Sequence, residues 1–291
     1  MSWNRSVETV SPWISEIIEI FEKTRSHPQR IHSITNYVTI NDCANILLAM
    51  GASPIMADDP DEVEEVTAQC QGLVINLGTL KSWAVDGMVA AGKKANALGH
   101  PVVLDPVGVG VSALRRNAVK RLMEAVDFSV IRGNISEIKT LAVGVGHAAG
   151  VDAKAADQVT EENLSETLRW AQRLSKKTGS VMAITGAVDM IVDVNRAFTI
   201  ENGDPLMSRV TGSGCMLSAI MGAYVAANPD RPLMAAVCAA SVMGIAGEKA
   251  VCRMSDQGLG TGSLRTLIID QISLMSAQDL ASQARIQCRI S

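Results

Sequence analysis

The residues best equipped for chemistry lie in one short run, Val210-Thr211-Gly212-Ser213-Gly214-Cys215, which leads straight into the apolar, helix-like stretch 216–222. Gly212 and Gly214 let the backbone take left-handed angles and come close to a ligand. The free N–H groups and the positive dipole end of the following helix then point into the turn, a setting that favours an anion such as phosphate. Cys215 opens that helix beside the anion position, where a thiol ionises more readily than in an apolar core. The run could supply both phosphate stabilisation and a base, although a Gly-rich turn alone could equally be a plain helix cap. It is neither the Walker pattern, which ends in Gly-Lys-Ser/Thr, nor the dinucleotide fingerprint that follows a first strand.

A second group of candidates closes apolar runs of strand length. Val102-Val103-Leu104 ends in Asp105-Pro106-Val107-Gly108. A carboxylate at a strand tip followed by Gly-rich backbone can hold a hydrated magnesium ion, or can cap a turn. Val130-Ile131 ends in Arg132-Gly133-Asn134-Ile135-Ser136-Glu137. Asn134 and Glu137 have capping-box spacing, whereas Arg132 has no local need for charge and its fork suits phosphate oxygens. Thr185-Gly186 after Ala183-Ile184 could meet a nucleotide or form an ordinary turn, and Asn36 closes the first strand in the same manner. The six cysteines show no C-x-x-C pair and the four histidines are dispersed, so zinc-ligand spacing and hydrolase triads find no support.

These groups need a scaffold that gathers strand tips. The chain of 291 residues is 47% hydrophobic but only 3% aromatic, so its core must be built from Ala, Val, Ile, Leu and Met. That mixture suits buried parallel strands flanked by helices. Helical spacing over 12–26 is followed by alternating strands and helices: strands at 31–35, 54–56, 72–76, 102–105, 128–131 and 181–184, and helices through about Met50 and over 60–69, 81–98, 113–125 and 161–177. A short helix starts at Asn134, and residues 144–160, rich in Gly and Ala, read as a mobile connection. Residues 189–201 read as a hairpin turning near Asp193–Arg196. The remainder reads as helices over 213–227, 232–251 and roughly 262–278, with Cys288 near the carboxyl end given no role. The expected fold is a three-layer α/β/α domain with a mostly parallel central sheet, spanning 1–291 as one unit. Ligands in such sheets bind beyond the carboxyl ends of the strands, where the polar tips lie.

A net charge of −4 gives no electrostatic case for nucleic acid or an anionic membrane. No uninterrupted apolar run reaches the 18 to 20 residues or so that a spanning helix requires. The start lacks an apolar core flanked by basic residues, so a secretory signal is not expected. Free thiols fit a reducing, cytoplasmic setting.

The run from Asn45 to Met56, the segment Leu104–Gly110, Arg132–Glu137 and Val210–Cys215 together resemble the hydroxyethylthiazole kinase family, in the order that family shows and over nearly the whole chain. The resemblance implies a ribokinase-like fold and a homotrimer with the substrate pocket at the subunit interface. It implies phosphorylation of the hydroxyl of 4-methyl-5-(2-hydroxyethyl)thiazole with ATP and magnesium, a step in thiamine synthesis or salvage. By the same resemblance Met56 lines the thiazole pocket and Gly212 touches that substrate. Arg132 and Thr185 contact ATP with Asn36 near the phosphates, Asp105 and Glu137 organise magnesium, and Cys215 is the catalytic base. On its own residues Met56 could as well be core filler. Residues 1–11 have no counterpart in the resemblance.

Overall fold

The computed structural model describes residues 12–143 and 161–290. The opening residues and the 144–160 connection lie outside that range. A nine-stranded sheet runs through the middle, in the order β2-β1-β3-β4-β5-β6-β7-β8-β9. Six of its strands are parallel: β2 (Ser53–Ile55), β1 (Arg30–Ile34), β3 (Gly72–Asn76), β4 (Val102–Asp105), β5 (Val130–Asn134) and β6 (Val181–Thr185). Three antiparallel strands extend it: β7 (Asp189–Val192), β8 (Arg196–Ile200) and β9 (Ile286–Ile290). The β7–β8 pair is the hairpin that the alternation around residues 189–201 implies. The near-continuous apolar runs of β3, β4 and β6 follow from burial on both faces of the sheet.

Successive strand residues point to opposite faces, and the two faces feed two separate cores. On one side Ile31, Val74, Val103, Val130, Val181 and Phe198 pack beneath α1 (Pro12–Ser26), α2 (Ile40–Ala49), α8 (Ser213–Ala227), α9 (Pro232–Asp256), α10 (Thr261–Leu274) and α11 (Ala277–Gln283). On the other side Ile34, Leu73, Ile75, Leu104, Ile131 and Met182 pack against α3 (Val63–Ala68), α4 (Ala84–Ala97), α5 (Ala113–Ala125), α6 (Ile135–Val143) and α7 (Glu161–Thr178). The sheet with its two helical layers is the three-layer arrangement expected from the alternation.

Because β1 leads through α2 in one layer to β2, and β3 leads through α4 in the other layer to β4, the chain leaves the neighbouring strands β1 and β3 in opposite directions. Strand order therefore reverses at β1, and the crevice beyond the carboxyl ends of β1 and β3 is a topological switch point, the usual place for a ligand in an open α/β sheet. Helix α8 crosses above it. That helix is apolar all round, with every residue from Met216 to Ala227 buried. It sits unusually close to the sheet: a Cβ added at Gly222 would lie 2.4 Å from Val74 Cγ2.

Several boundaries differ from the sequence reading: β5 covers 130–134 rather than 128–131, and three further differences lie toward the carboxyl end. The helix assigned to 262–278 is two, because Ser276 and Asp279 form a reciprocal capping box that starts α11. Helix α9 runs to Asp256 rather than 251. Residues 286–290, read as an uneventful end, form edge strand β9 against β8, which places Cys288 opposite Phe198. Asn202 holds that strand in place: its Oδ1 accepts from Arg285 N at 2.8 Å and its Nδ2 donates to Gln283 O at 2.9 Å. Glu248 adds Gly203 N at 2.7 Å and an ion pair with Arg285. Helix α9 is long and apolar enough, on average, to cross a bilayer, yet 78% of its most apolar window is buried inside the protein.

Candidate active site

Parallel strands end on one edge, so register alone brings the polar tips together. Asn76 is paired with Asp105 across β3–β4, and Asn134 with Thr185 across β5–β6. Over them stands the amino end of α8. Gly212 caps that helix with φ +90°, a left-handed angle that strains any residue bearing a Cβ. A Cβ there would also lie 2.7 Å from Thr39 Cγ2. At Gly214 a Cβ would meet Arg132 Nη1 at 2.6 Å, so the guanidinium rests directly on the bare backbone of the turn. The helix end and the arginine fork thus present adjoining donors to a single anion position.

Asp105 is fully buried and is the hub of the network. Its Oδ2 accepts from Ser218 Oγ at 2.7 Å, from Asn76 Nδ2 at 2.9 Å and from Arg132 Nη1 at 3.4 Å. Its Oδ1 is buried with no hydrogen-bond partner. Burial pushes the Asp105 carboxyl up to about 6; Arg132 pulls it down and the neighbouring Glu137 charge pushes it further up. Arg132 continues to Thr185, with Nη2 donating to Oγ1 at 2.8 Å. The Thr185–Gly186 turn is pinned by Asp189 Oδ1, which accepts Gly186 N at 2.9 Å.

Glu137 and Asn134 form the expected capping box: Asn134 N donates to Glu137 Oε2 and Glu137 N to Asn134 Oδ1, both at 2.9 Å. The other Glu137 oxygen accepts Gly108 N at 2.8 Å and so ties α6 to the loop after β4. A second tie comes from Arg115, whose guanidinium reaches the carbonyls of Leu77 and Val107.

Cys215 Sγ is half-buried and accepts from Asn36 Nδ2 at 3.2 Å and Asn76 Nδ2 at 3.3 Å. Cys43, by contrast, is buried and its thiol is pushed up to about 12, mainly by desolvation. It stays protonated at any physiological pH.

Asn36, Asp105, Arg132, Glu137, Thr185, Gly212 and Cys215 are therefore neighbours in one crevice. Met56 is set apart from this network. It follows edge strand β2 and packs, half-buried, against the apolar layer that contains α2 and α8. Asn36 has its donors committed to Asn76 and Cys215. Two participants escaped the sequence reading. Asn76 ends an apolar strand just as Asp105 does and was open to the same rule, whereas Ser218 is a small polar residue inside an apolar helix and carries no local signal.

For magnesium the donor set fits. Asp105 offers a buried oxygen without a partner, and the like charge of Glu137 raises its carboxyl, a repulsion that a cation relieves. Among the described residues no group of three or more His, Cys, Asp or Glu side chains could cage an ion. That suits a cation which keeps most of its water and takes one or two carboxylates.

Comparison with known proteins identifies the family. The family model for the hydroxyethylthiazole kinase family matches residues 21–278. The chain belongs to the hydroxyethylthiazole kinase family. It is 52% identical to a hydroxyethylthiazole kinase of Clostridium acetobutylicum over 269 residues, 92% of this chain and 98% of that protein. It is 46% identical to one of Desulfovibrio desulfuricans, covering 92% and 96% of the two chains. The solved structure of a hydroxyethylthiazole kinase family protein from Pyrococcus horikoshii OT3 superposes with a TM-score of 0.82 at 34% identity, over 94% of this chain and 99% of that one. A ribokinase-like superfamily protein from Enterococcus faecalis V583 is 14% identical with a TM-score of 0.55, covering 88% and 94% of the two chains. At that distance the likeness speaks to fold alone, and the fold is ribokinase-like. This hydroxyethylthiazole kinase family member is thus an α/β kinase whose polar strand tips face the amino end of α8.

Proposed function

We propose that this kinase transfers the γ-phosphoryl group of ATP to the hydroxyl of 4-methyl-5-(2-hydroxyethyl)thiazole, in the synthesis or salvage of thiamine, acting in the cytoplasm as one ribokinase-like domain. One observation carries the reading: the Arg132 guanidinium lies on the bare Gly214 backbone at the start of α8, one residue from Cys215. An anion position, a fixed cation and a proton acceptor share one crevice.

The roles follow from what each group can do. Phosphoryl transfer depends on positioning and charge neutralisation more than on a strong base. The amide dipoles of the 212–215 turn hold the phosphoryl group in flight, and Arg132 neutralises its equatorial oxygens. Thr185, fixed by Arg132 and by the Asp189-pinned turn, faces the nucleotide. Asp105 and Glu137 would hold magnesium, which supplies charge neutralisation to the polyphosphate. Gly212 keeps the turn low enough for the alcohol to reach Cys215, and Cys215 takes the hydroxyl proton as the new bond to phosphorus forms. Asn36, with its donors spent, supports the thiol rather than the phosphates.

Met56 lines the thiazole side of the pocket across a subunit boundary in a homotrimer. Support comes from the segment that follows Asn36, where Tyr37 (69%) and Val38 (53%) are exposed beside the crevice and Leu48 (59%) is exposed at the far end of α2. Apolar surface of that kind marks a contact face. The test is a coupled assay with the thiazole alcohol, ATP and magnesium. ADP release that depends on the alcohol, with a phosphorylated thiazole as product, is the expected result. ATP hydrolysis indifferent to the alcohol, or a preference for a pyridine or pyrimidine alcohol, would overturn the reading.

A further inference from the structure

Two asparagine amides close on Cys215, and their orientation is fixed by groups that can only donate. Asn36 Oδ1 accepts from Val38 N and Thr39 N, both at 3.1 Å. Asn76 Oδ1 accepts from Gly78 N at 2.8 Å and from Asn36 Nδ2 at 3.1 Å. Turning either amide round would set its NH₂ against a backbone N–H, so oxygen and nitrogen are assigned at both positions.

The four amide hydrogens can then be followed one by one. Asn36 sends one to Asn76 Oδ1 and one to Cys215 Sγ. Asn76 sends one to Asp105 Oδ2 and one to Cys215 Sγ. No hydrogen of either amide is left for a ligand. Both donors reach the sulfur from the β1 and β3 tips, so two of its lone pairs are held on that side. The remaining valence faces the open side of the half-buried residue, where the crevice lies.

We propose that Asn36 and Asn76 are positioning residues that clamp Cys215 Sγ from the strand tips, leaving one lone pair aimed at the acceptor hydroxyl, and that neither amide touches alcohol or nucleotide. The proposal rests on the reading of Cys215 as proton acceptor. In the step it serves, the alcohol oxygen uses an electron pair to bond to phosphorus and its O–H bond breaks. The proton passes to the free lone pair of the thiolate, and the bond from phosphorus to the nucleoside diphosphate breaks with its pair on the departing oxygen. The two N–H dipoles complement the charge on sulfur before the proton arrives and fix the line along which it arrives.

Both amides also cap local turns, and a purely structural role must be told apart from the clamp. Asn36→Asp keeps the capping oxygen and removes the donors. In the otherwise unchanged enzyme it should lower kcat by about tenfold while KM for the alcohol moves less than about twofold. In a Cys215→Ala background the same change should cost less than about twofold in kcat, because residues that act through one another are not additive. Equal losses in both backgrounds would overturn the clamp.

A second measurement needs no turnover. In protein carrying Cys252→Ser and Cys288→Ser, alkylation of Cys215 by iodoacetamide, followed by peptide mass, should slow by about fivefold or more in Asn36→Asp, because the nucleophile is the charged sulfur that the amides complement. An unchanged or faster rate also overturns the clamp. Asn36→Ser serves in both measurements if Asn36→Asp does not fold. Wild-type turnover by Cys215→Ala would instead remove the base role of Cys215, whatever the alkylation rate.

Discussion

At the level of single side chains, Asp105 makes the sharpest pH statement. Its carboxyl sits near 6, above the ordinary carboxylate value, chiefly because it is fully buried. Between about pH 4 and pH 6 the folded protein keeps a proton that the unfolded chain has already released, so stability falls as pH rises through that window. Activity should run the other way, since only the charged form pairs fully with Arg132 and can hold a cation. The expected kcat/KM profile drops below about pH 6. Asp105→Asn should keep the fold and flatten the stability slope in thermal melts across that window, while kcat falls by on the order of a hundredfold. Cys215→Ala should retain measurable turnover, slower by about ten- to a hundredfold, because a base is a minor part of phosphoryl transfer. Cys215→Asp, which restores a proton acceptor at the helix start, should recover part of that loss in the same steady-state assay. Arg132→Ala should raise KM for ATP and lower kcat together; unchanged constants would remove Arg132 from the phosphate site.

Among the elements, the apolar runs and their polar ends were legible because burial on both faces leaves a strand no other place for a charge. Asp105, Arg132, Thr185 and Asn36 stood out in the sequence for that reason, as did the reciprocal caps of Asn134 and Glu137. Asn76 obeys the same rule, but the strand reading over 72–76 takes it in as the last residue and gives it no role. What hid was whatever depends on partners far along the chain. Strand β9, with Gln287 and Arg289 interleaved among Ile286, Cys288 and Ile290, has the alternation of an edge strand. It becomes one only because Asn202 and Glu248 grip Arg285 beside it. Helix α11 was hidden differently: its Ser276 and Asp279 carry a readable cap, submerged in a longer helical pattern. The approach of α8 to the sheet has no sequence signature beyond small residues. It can be probed by Gly222→Ala, whose methyl would enter the space of Val74. Overpacking of this kind should lower stability by about 1–3 kcal/mol in denaturant melts. It should also reduce kcat by tilting the amino end of α8, and unaltered melts would mean that the layer yields.

For the molecule as a whole, the exposed Tyr37, Val38 and Leu48 bear on assembly. If subunits meet there, Val38→Asp with Leu48→Asp should shift the mass in light scattering from three chains to one. KM for the alcohol should rise at the same time, as Met56 loses its neighbour across the boundary. A mass of three chains unaffected by both changes would place the contact elsewhere.

The contact between the guanidinium and Gly214 couples variation at position 214 to the arginine's placement. A methyl there would have to push the guanidinium away from its Asp105 and Thr185 partners, so a library randomised at position 214 and selected for growth on the thiazole alcohol should return mostly glycine. Position 215, the next residue along the same helix, should tolerate several.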